Sequence, residues 1–267
     1  MLSDITLGQY YPARSIIHKL DGRVKILLVL ALVVMLFIAD TPLAYAVTTV
    51  FVVLVIVMSK VPFVFVLKGL KPILYILIFT SLLNIFLTDG RILYSIGFLK
   101  ITYEGLILAL TMVVRLVLLV AATSILTLTT SPIMLTNAIE RLLSPLKVIK
   151  FPAHEIAMMM TIALRFIPTL MEETEKLIKA QSARGIDFAS GGILQKIKAM
   201  VPILVPLFIN SLKRADELAL AMECRCYRGG ENRTTLKTMK FTATDITAIV
   251  IFSVYVAFII LTKTVMK

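Results

Sequence analysis

The sequence predicts an all-α polytopic membrane protein with about five transmembrane helices and a cytoplasmic domain of long crossed helices. Of its 267 residues, 59% are hydrophobic, and the mean hydropathy is +0.95, whereas soluble domains are about 45–50% apolar. Five apolar runs approach the roughly 20 residues that are needed to cross a bilayer. A long basic segment of different composition separates the fourth run from the fifth.

Four of the apolar runs fall within residues 1–130, which we expect to form an N-terminal membrane region. They are residues 26–39, 43–58, about 72–88 and about 104–130. Asp40-Thr41-Pro42 separates the first two, as is typical of a tight helical hairpin. Met1 to Leu20 lacks the features of a cleavable signal peptide, so insertion is expected to depend on these runs. A fifth run, at 243–262, predicts a final transmembrane helix within residues 243–267.

The segment between these regions, residues 131–242, contains 16 Lys and Arg and 10 Asp and Glu. Its pattern predicts helices at about 132–144, 153–184 and 193–226. The apolar parts of the last two, residues 156–167 and 201–212, are about a dozen residues long and too short to span a bilayer. We therefore expect residues 131–242 to form a cytoplasmic domain of helices.

The basic residues also predict the orientation in the membrane. With the N-terminus inside, the central segment places its 16 Lys and Arg inside, and the two short inner regions add seven more. Only Arg91, Lys100, Lys263 and Lys267 then lie outside. Cytoplasmic loops of membrane proteins are enriched in Lys and Arg. Five spans with the N-terminus inside place the C-terminus outside.

Two short motifs close the long helices of the central segment. Ala183-Arg184-Gly185 lies at the end of the second helix, and Cys224-Arg225-Cys226 lies at the end of the third, just before Gly229-Gly230. An Arg in the last turn complements the helix dipole, and Gly supplies a left-handed residue that ends a helix. Each motif alone is therefore explained as a capped helix end. Two such ends on two long helices of one chain favour a shared role.

With these motifs the sequence resembles the T component of energy-coupling factor (ECF) transporters. That family carries two X-Arg-X motifs at the ends of two long cytoplasmic coupling helices, and here they match Ala183-Arg184-Gly185 and Cys224-Arg225-Cys226. The segment from Ser15 to Lys25 is similar to the family's Ser-x-x-His-x-Leu-Asp-Pro-Arg-x-Lys, with Gly22 where Pro is usual. The second motif departs from the usual Ala-Arg-Gly. The resemblance covers nearly the whole chain.

The resemblance implies a non-enzymatic subunit of an ATP-driven importer for vitamins or metals. It would join a membrane substrate-binding subunit, the S component, to two cytoplasmic ABC-type ATPases, with one Arg entering each ATPase. ATP would be bound by those partners and no cofactor by this chain, which has no Gly-x-x-x-x-Gly-Lys-Ser/Thr motif. For both Arg residues to reach one ATPase pair, the long helices are expected to lie flat along the membrane surface and to cross.

Arg115 is a charged residue in the middle of the fourth apolar run. Charge in a membrane span is costly and usually faces a bundle interior or a cavity. One hypothesis is a contact with the substrate-binding subunit or a structural polar pair, for example with Asn84. The other is a side chain that snorkels to the surface because the span is shifted.

Other functional classes find less support in the residues. An intramembrane enzyme needs catalytic polar groups in its spans, and only Arg115 lies there. A self-contained secondary carrier is typically built from repeats, and five spans do not divide into two halves. The net charge of +12 is better explained by topology and the lipid bilayer than by nucleic acid, since no nucleic-acid motif is present. Cys224 and Cys226 have no nearby His, so we expect no metal site and two reduced thiols at a packed helix end.

Overall fold

The protein is described here by a computed structural model, which covers residues 10–39, 41–96, 99–149, 151–186, 188, 192–229 and 241–265. The described chain divides into two compact units. One comprises residues 10–138 and 241–265, and we call it the membrane unit. The other comprises residues 139–229, and we call it the helical-pair unit. The expected domain limits at 130/131 and 242/243 stay a prediction.

The membrane unit is built from helices joined by short connections. They are α1 (Ile16–Lys19), α2 (Gly22–Ile38), α3 (Pro42–Ser59), α4 (Phe63–Leu87), α5 (Tyr103–Thr129), the start of α6 (Pro132–Leu143) and α9 (Ala243–Val265). Thr41 caps α3 by accepting a hydrogen bond from Ala44 N–H at 3.3 Å, and Pro42 takes the first helical position. Pro is favoured there because that N–H would have no helical partner. The hairpin expected from the sequence thus has a clear start for its second helix.

The described helices confirm an all-α polytopic membrane protein. Four of them are long and apolar enough to cross a membrane, namely α3, α4, α5 and Ala243–Thr264 of α9. Helix α2 has 17 residues, which is at the lower end of the spanning range of about 17–25. Together they account for the five apolar runs. The third run was expected to begin at Pro72, but α4 begins at Phe63 and continues through this proline. A membrane helix tolerates proline where neighbouring groups satisfy the freed backbone.

A two-stranded antiparallel hairpin joins α4 to α5, and the sequence analysis did not predict it. Its strands are β1 (Ile92–Ile96) and β2 (Leu99–Thr102). Thr102 continues into α5 as its cap, accepting from Gly105 N–H at 3.2 Å while its hydroxyl donates to Thr88 O at 2.8 Å. The hairpin therefore fixes both the end of α4 and the start of α5.

The core of the membrane unit lies where α2, α3, α5 and α9 meet. Leu36, Leu128 and Ile259 are at most 1% exposed. Within this core the Thr48 and Tyr255 hydroxyls share a hydrogen bond of 2.8 Å. Many large apolar side chains point outwards instead, on every one of the four long apolar helices. Such a surface suits a hydrocarbon solvent, because lipid tails are as apolar as the side chains themselves.

The helical-pair unit contains two helices of the expected length, α7 (Ala153–Ala183) and α8 (Ile193–Cys224). The Gln181 side chain donates to Pro202 O at 3.4 Å, and Asn210 donates to Glu173 Oε1 at 2.8 Å. The later residue of α7 thus contacts the earlier residue of α8, so the two helices run antiparallel. Both continue through internal prolines, Pro168 in α7 and Pro202 and Pro206 in α8.

Candidate partner-binding site

The end of α7 is a complete Schellman cap. Ile186 N–H bonds to Gln181 O at 3.1 Å, and Gly185 N–H bonds to Ser182 O at 3.0 Å. Gly185 has a φ of +88°, which is the left-handed conformation that this cap requires. Arg184 is the last residue before the reversal, with φ −85° and ψ 6°. Its side chain is exposed.

The end of α8 repeats this geometry residue by residue. Tyr227 N–H bonds to Met222 O at 3.0 Å, and Cys226 N–H bonds to Glu223 O at 2.8 Å. Arg225 takes the position of Arg184, with φ −89° and ψ 13°, and its side chain is also exposed. Cys226 takes the position of Gly185 with a φ of +56°. The two motifs therefore present an arginine in the same way on the same kind of cap.

The antiparallel arrangement places the two caps at opposite ends of the helix pair. Gln181, three residues before Arg184, contacts α8 at Pro202. Arg225 lies 23 residues further along α8, or about 35 Å at 1.5 Å per residue. No ion pair involving Arg184 or Arg225 is seen in the part of the chain that the structure describes. Two exposed cations thus stand well apart, each available to a separate partner.

The N-terminal motif forms a hydrogen-bonded anchor on the membrane unit. The Ser15 side chain caps α1 by accepting from His18 N–H, and His18 Nε2 lies 3.0 Å from Tyr11 O. A carbonyl only accepts, so Nε2 carries the proton and Nδ1 accepts from the Ser15 hydroxyl at 2.7 Å. Burial lowers the pKa of His18, which favours this neutral form. The histidine therefore acts here as a structural hydrogen-bonding residue.

Asp21 continues this anchor towards the last helix. Its side chain caps α2 and forms an ion pair with Arg23 at 2.7 Å, and its N–H donates to Asp245 Oδ1 at 2.8 Å. Burial by itself raises the pKa of Asp21, but the hydrogen bonds and charge of Arg23 outweigh it and lower this pKa overall. Lys25, 5% exposed, donates to Thr129 O at 2.9 Å at the end of α5. The motif thus ties α2 to both α5 and α9.

Comparison with known proteins identifies the family to which the chain belongs. Residues 13–236 match the CbiQ family, described as a cobalt transport protein. The chain is 53% identical to an energy-coupling factor transporter transmembrane protein EcfT of Ruminiclostridium cellulolyticum, over 98% of each chain. It is 54% identical to the protein of that name in Clostridium kluyveri, over 98% of each chain, and 47% identical to that of Bacillus subtilis, over 94% and 95%.

The chain belongs to the family of ECF transporter transmembrane proteins. It is therefore a membrane component of a transporter, as the resemblance in the sequence implied. In the N-terminal motif, Gly22 is the first residue of α2. A side chain built on Gly22 would lie 3.0 Å from Cβ of Ala138 and 3.4 Å from Met134 O. In this ECF protein Gly22 thus allows close packing of α2 against α6.

Arg115 of this ECF protein has an internal partner that the sequence did not reveal. Its Nε donates to the Tyr45 hydroxyl at 2.9 Å, and its guanidinium lies 5.6 Å from the centre of the Phe37 ring. The suggested pair with Asn84 is not among the contacts seen in the described residues, which go to Tyr45 instead. A tyrosine in an apolar run is typical of a packed side chain, so the sequence did not indicate that Tyr45 is the partner of Arg115.

Asp245 contacts the N-terminal motif, and the sequence analysis did not predict this contact. It is fully buried and accepts from Asp21 N–H and from Thr242 N–H, both at 2.8 Å. The signal was available, because Thr242-Ala-Thr-Asp245 is the pattern of a capping box directly before an apolar run. Its long-range partner Asp21 could not be inferred, since 224 residues separate the two.

The cysteines of the second motif do not lie where the sequence suggested. Cys224 and Cys226 are both exposed and free, so the expectation of a packed helix end is wrong. Cys224 is the last residue of α8 and Cys226 is the left-handed residue of its cap, and both positions are open to solvent. In the described residues no group of three or more His, Cys, Asp or Glu is placed to hold a metal ion.

Proposed function

We propose that the chain is the coupling and scaffold subunit of an ECF-type ABC importer. It transmits ATP-driven movement from two cytoplasmic ATPases to a substrate-binding membrane subunit, for uptake of a vitamin or a metal. The observation that carries this proposal is the pair of matching caps, each with an exposed arginine, at opposite ends of one antiparallel helix pair. A mere helix stop does not require an arginine at the same position twice.

The ATPase-binding residues in this proposal are the two caps themselves, listed as Ala183, Arg184, Gly185, Cys224, Arg225 and Cys226. Each arginine docks on one ABC-type ATPase and pairs with a carboxylate through two parallel hydrogen bonds, which Lys cannot reproduce. A span of about 35 Å between the caps supports the use of two separate ATPase sites rather than one. Movement of the ATPases towards or away from each other would then act on both ends of a continuous pair of helices.

The reaction itself is assigned to the partners. ATP is bound and hydrolysed by the ATPases and the substrate is bound by the S component, so this subunit is not an enzyme and uses no cofactor. The lack of a Walker-type motif in the sequence supports this assignment. The protein is placed in the bacterial cell membrane with its N-terminus in the cytoplasm, and the bias of basic residues supports that orientation.

The test is charge reversal of both arginines, in the variant Arg184→Glu/Arg225→Glu. Breaking a buried, hydrogen-bonded charge pair costs roughly 2–5 kcal/mol, because the partner charge is left unpaired. We expect each single reversal to weaken ATPase binding or uncouple hydrolysis from uptake, and the double reversal to abolish uptake. The measurements are substrate uptake and pull-down of co-expressed ABC-type ATPases.

Two controls make this test specific. Arg184→Lys is expected to restore only part of the binding, since Lys lacks the planar fork of Arg. Lys213→Glu changes an exposed residue of α8 that belongs to neither cap and should leave uptake intact. Normal uptake and normal pull-down in the double reversal would reduce both motifs to helix caps and contradict the proposal.

A further inference from the structure

We infer that Arg165 and Arg228 form, together with Arg225, a three-arginine groove that binds an acidic segment of one ATPase subunit. This inference rests on the proposed function, because it extends the site of Arg225. It adds Arg165 and Arg228, which belong to neither sequence motif. We expect the partner segment to carry at least two carboxylates and an apolar side chain.

The groove lies between the first half of α7 and the end of α8. It has a volume of about 670 Å³. Arg165 enters it from α7, and Arg225 and Arg228 enter it from the cap of α8. Its apolar lining includes Met158, Phe166 and Met222. A cavity of this size and composition accommodates a side chain together with part of the backbone that carries it.

The charges in the groove are not balanced from within. All three arginines are exposed, no carboxylate is among the residues that line the groove, and the described ion pairs do not include them. Arg214 of the same helix pair behaves differently, because it forms an ion pair with Glu173 at 3.2 Å. An arginine with a structural role thus finds an acid within this unit. Three cations in one concave site create a positive field that attracts and orients an anionic partner.

An acidic protein segment fits these features better than a lipid headgroup. The groove is continuous with the Arg225 cap, so whatever pairs with Arg225 is already positioned over Arg165 and Arg228. The apolar lining provides a pocket for a buried anchor of the kind that dominates protein interfaces. Guanidinium groups around that pocket match the bidentate geometry of carboxylates. The reverse turn at Cys226 and Gly229, with φ +56° and +81°, folds Arg228 back towards the groove that Arg225 lines.

The experiment measures the affinity of the full-length chain, reconstituted in nanodiscs, for the ABC-type ATPases that co-purify with it. The variants are Arg165→Glu, Arg228→Glu and their combination, with Lys213→Glu as a matched reversal at an exposed residue of α8 outside the groove. We expect each groove reversal to weaken binding by about tenfold or more, because like charges meet across the interface. Lys213→Glu should stay within about threefold of the wild type, as is usual for exposed charges.

Milder variants separate docking from folding. Arg165→Gln and Arg228→Gln keep a polar side chain and are expected to weaken ATPase binding less than the reversals do, with unchanged helix content and elution volume. Raising the salt concentration should weaken the wild type more than the variants, since exposed charge pairs are screened. Weak binding accompanied by loss of helix content in both Gln variants would overturn the inference, because the arginines would then be structural.

The remaining outcomes distinguish this inference from the function on which it rests. If the groove reversals bind normally while Arg184→Glu/Arg225→Glu does not, the groove is wrong and the proposed function stands. If the double cap reversal binds normally too, both fail. The assay is repeated in nanodiscs of phosphatidylcholine alone and with added phosphatidylglycerol. A loss that appears only with the anionic lipid would make a headgroup the occupant and overturn the inference, whereas an equal loss in both supports it.

Discussion

At the scale of single residues, the two caps differ at the left-handed position and agree at the arginine. Gly185 and Cys226 occupy the same left-handed position, at φ +88° and +56°. Glycine adopts this conformation freely, while other residues pay roughly 1–2 kcal/mol. Arg184 and Arg225 have nearly the same backbone angles in spite of this difference. The second cap thus keeps the arginine geometry at an energetic cost.

This comparison predicts opposite effects of two exchanges at the equivalent position. Cys226→Gly should raise the free energy of unfolding by up to about 1 kcal/mol, because it removes a strained side chain from a left-handed residue. Gly185→Ala should lower it by about 1 kcal/mol, although no atom of the described residues lies within 4 Å of the new methyl group. Thermal unfolding in detergent, with pull-down of the ATPases to show that binding persists, measures both. A lower melting temperature for Cys226→Gly would show that the thiol has a stabilising contact of its own.

At the scale of elements, the last helix is fixed to the first long helix through buried polar groups rather than through packing alone. Asp245 satisfies its own capping box at Thr242 and also the N–H of Asp21, which starts α2. Asp21 and Lys25 extend these contacts to Arg23 and to the end of α5. The N-terminal motif therefore organises the starts of α2 and α9 and the end of α5. Its residues thus fix the geometry of the membrane unit.

The anchor at Asp245 predicts a specific loss of stability. The two carboxylate oxygens of Asp245 accept from the N–H groups of Asp21 and Thr242. In Asp245→Asn one of these oxygens is replaced by an NH2 group, which cannot accept, so one of the two hydrogen bonds is lost. Hydrogen bonds to charged groups contribute about 1.5–3 kcal/mol, and we expect a loss of that order. The measurement is the melting temperature in detergent, with the exposed Asp216→Asn as control. Equal melting temperatures for the two variants would show that α9 is held by its apolar contacts alone.

At the scale of the whole molecule, local rules predicted more of the structure than did reasoning about distant contacts. The expected helices at 132–144, 153–184 and 193–226 agree with α6, α7 and α8 to within two residues at each end, because Pro and Gly mark their limits. The sequence analysis expected the two long helices to lie flat and to cross, which stays a prediction, and it did not predict which residues of α7 and α8 meet. What depended on tertiary contact was missed: the partner of Arg115, the role of Asp245 and the hairpin of β1 and β2.

The groove around Arg225 illustrates why such features escape sequence reasoning. Arg165 and Arg228 lie 63 residues apart in the chain and belong to no motif. Each is an ordinary exposed cation by itself, and only the antiparallel pairing of the helices brings them to one cavity. The motif arginines were visible because a repeated helix stop has a local pattern. The site that surrounds them is a property of the fold.

The orientation of the chain in the membrane is the prediction on which the assembly depends as a whole. Both caps must be cytoplasmic to reach ATPases, and five spans then put the C-terminus outside.

Asn232 and Lys267 report on the two sides of the membrane, and both positions lie outside the residues that the structure describes. In the variants Asn232→Cys and Lys267→Cys, made in a chain whose Cys224 and Cys226 are replaced by Ser, a membrane-impermeant thiol reagent added to intact cells should label only position 267. Position 232 should react only in inverted membrane vesicles, because the 16 basic residues of the central segment oppose its translocation. In the five-span arrangement one span separates position 232 from position 267, so the two positions lie on opposite sides of the membrane. Labelling of both positions from the same side would contradict this arrangement.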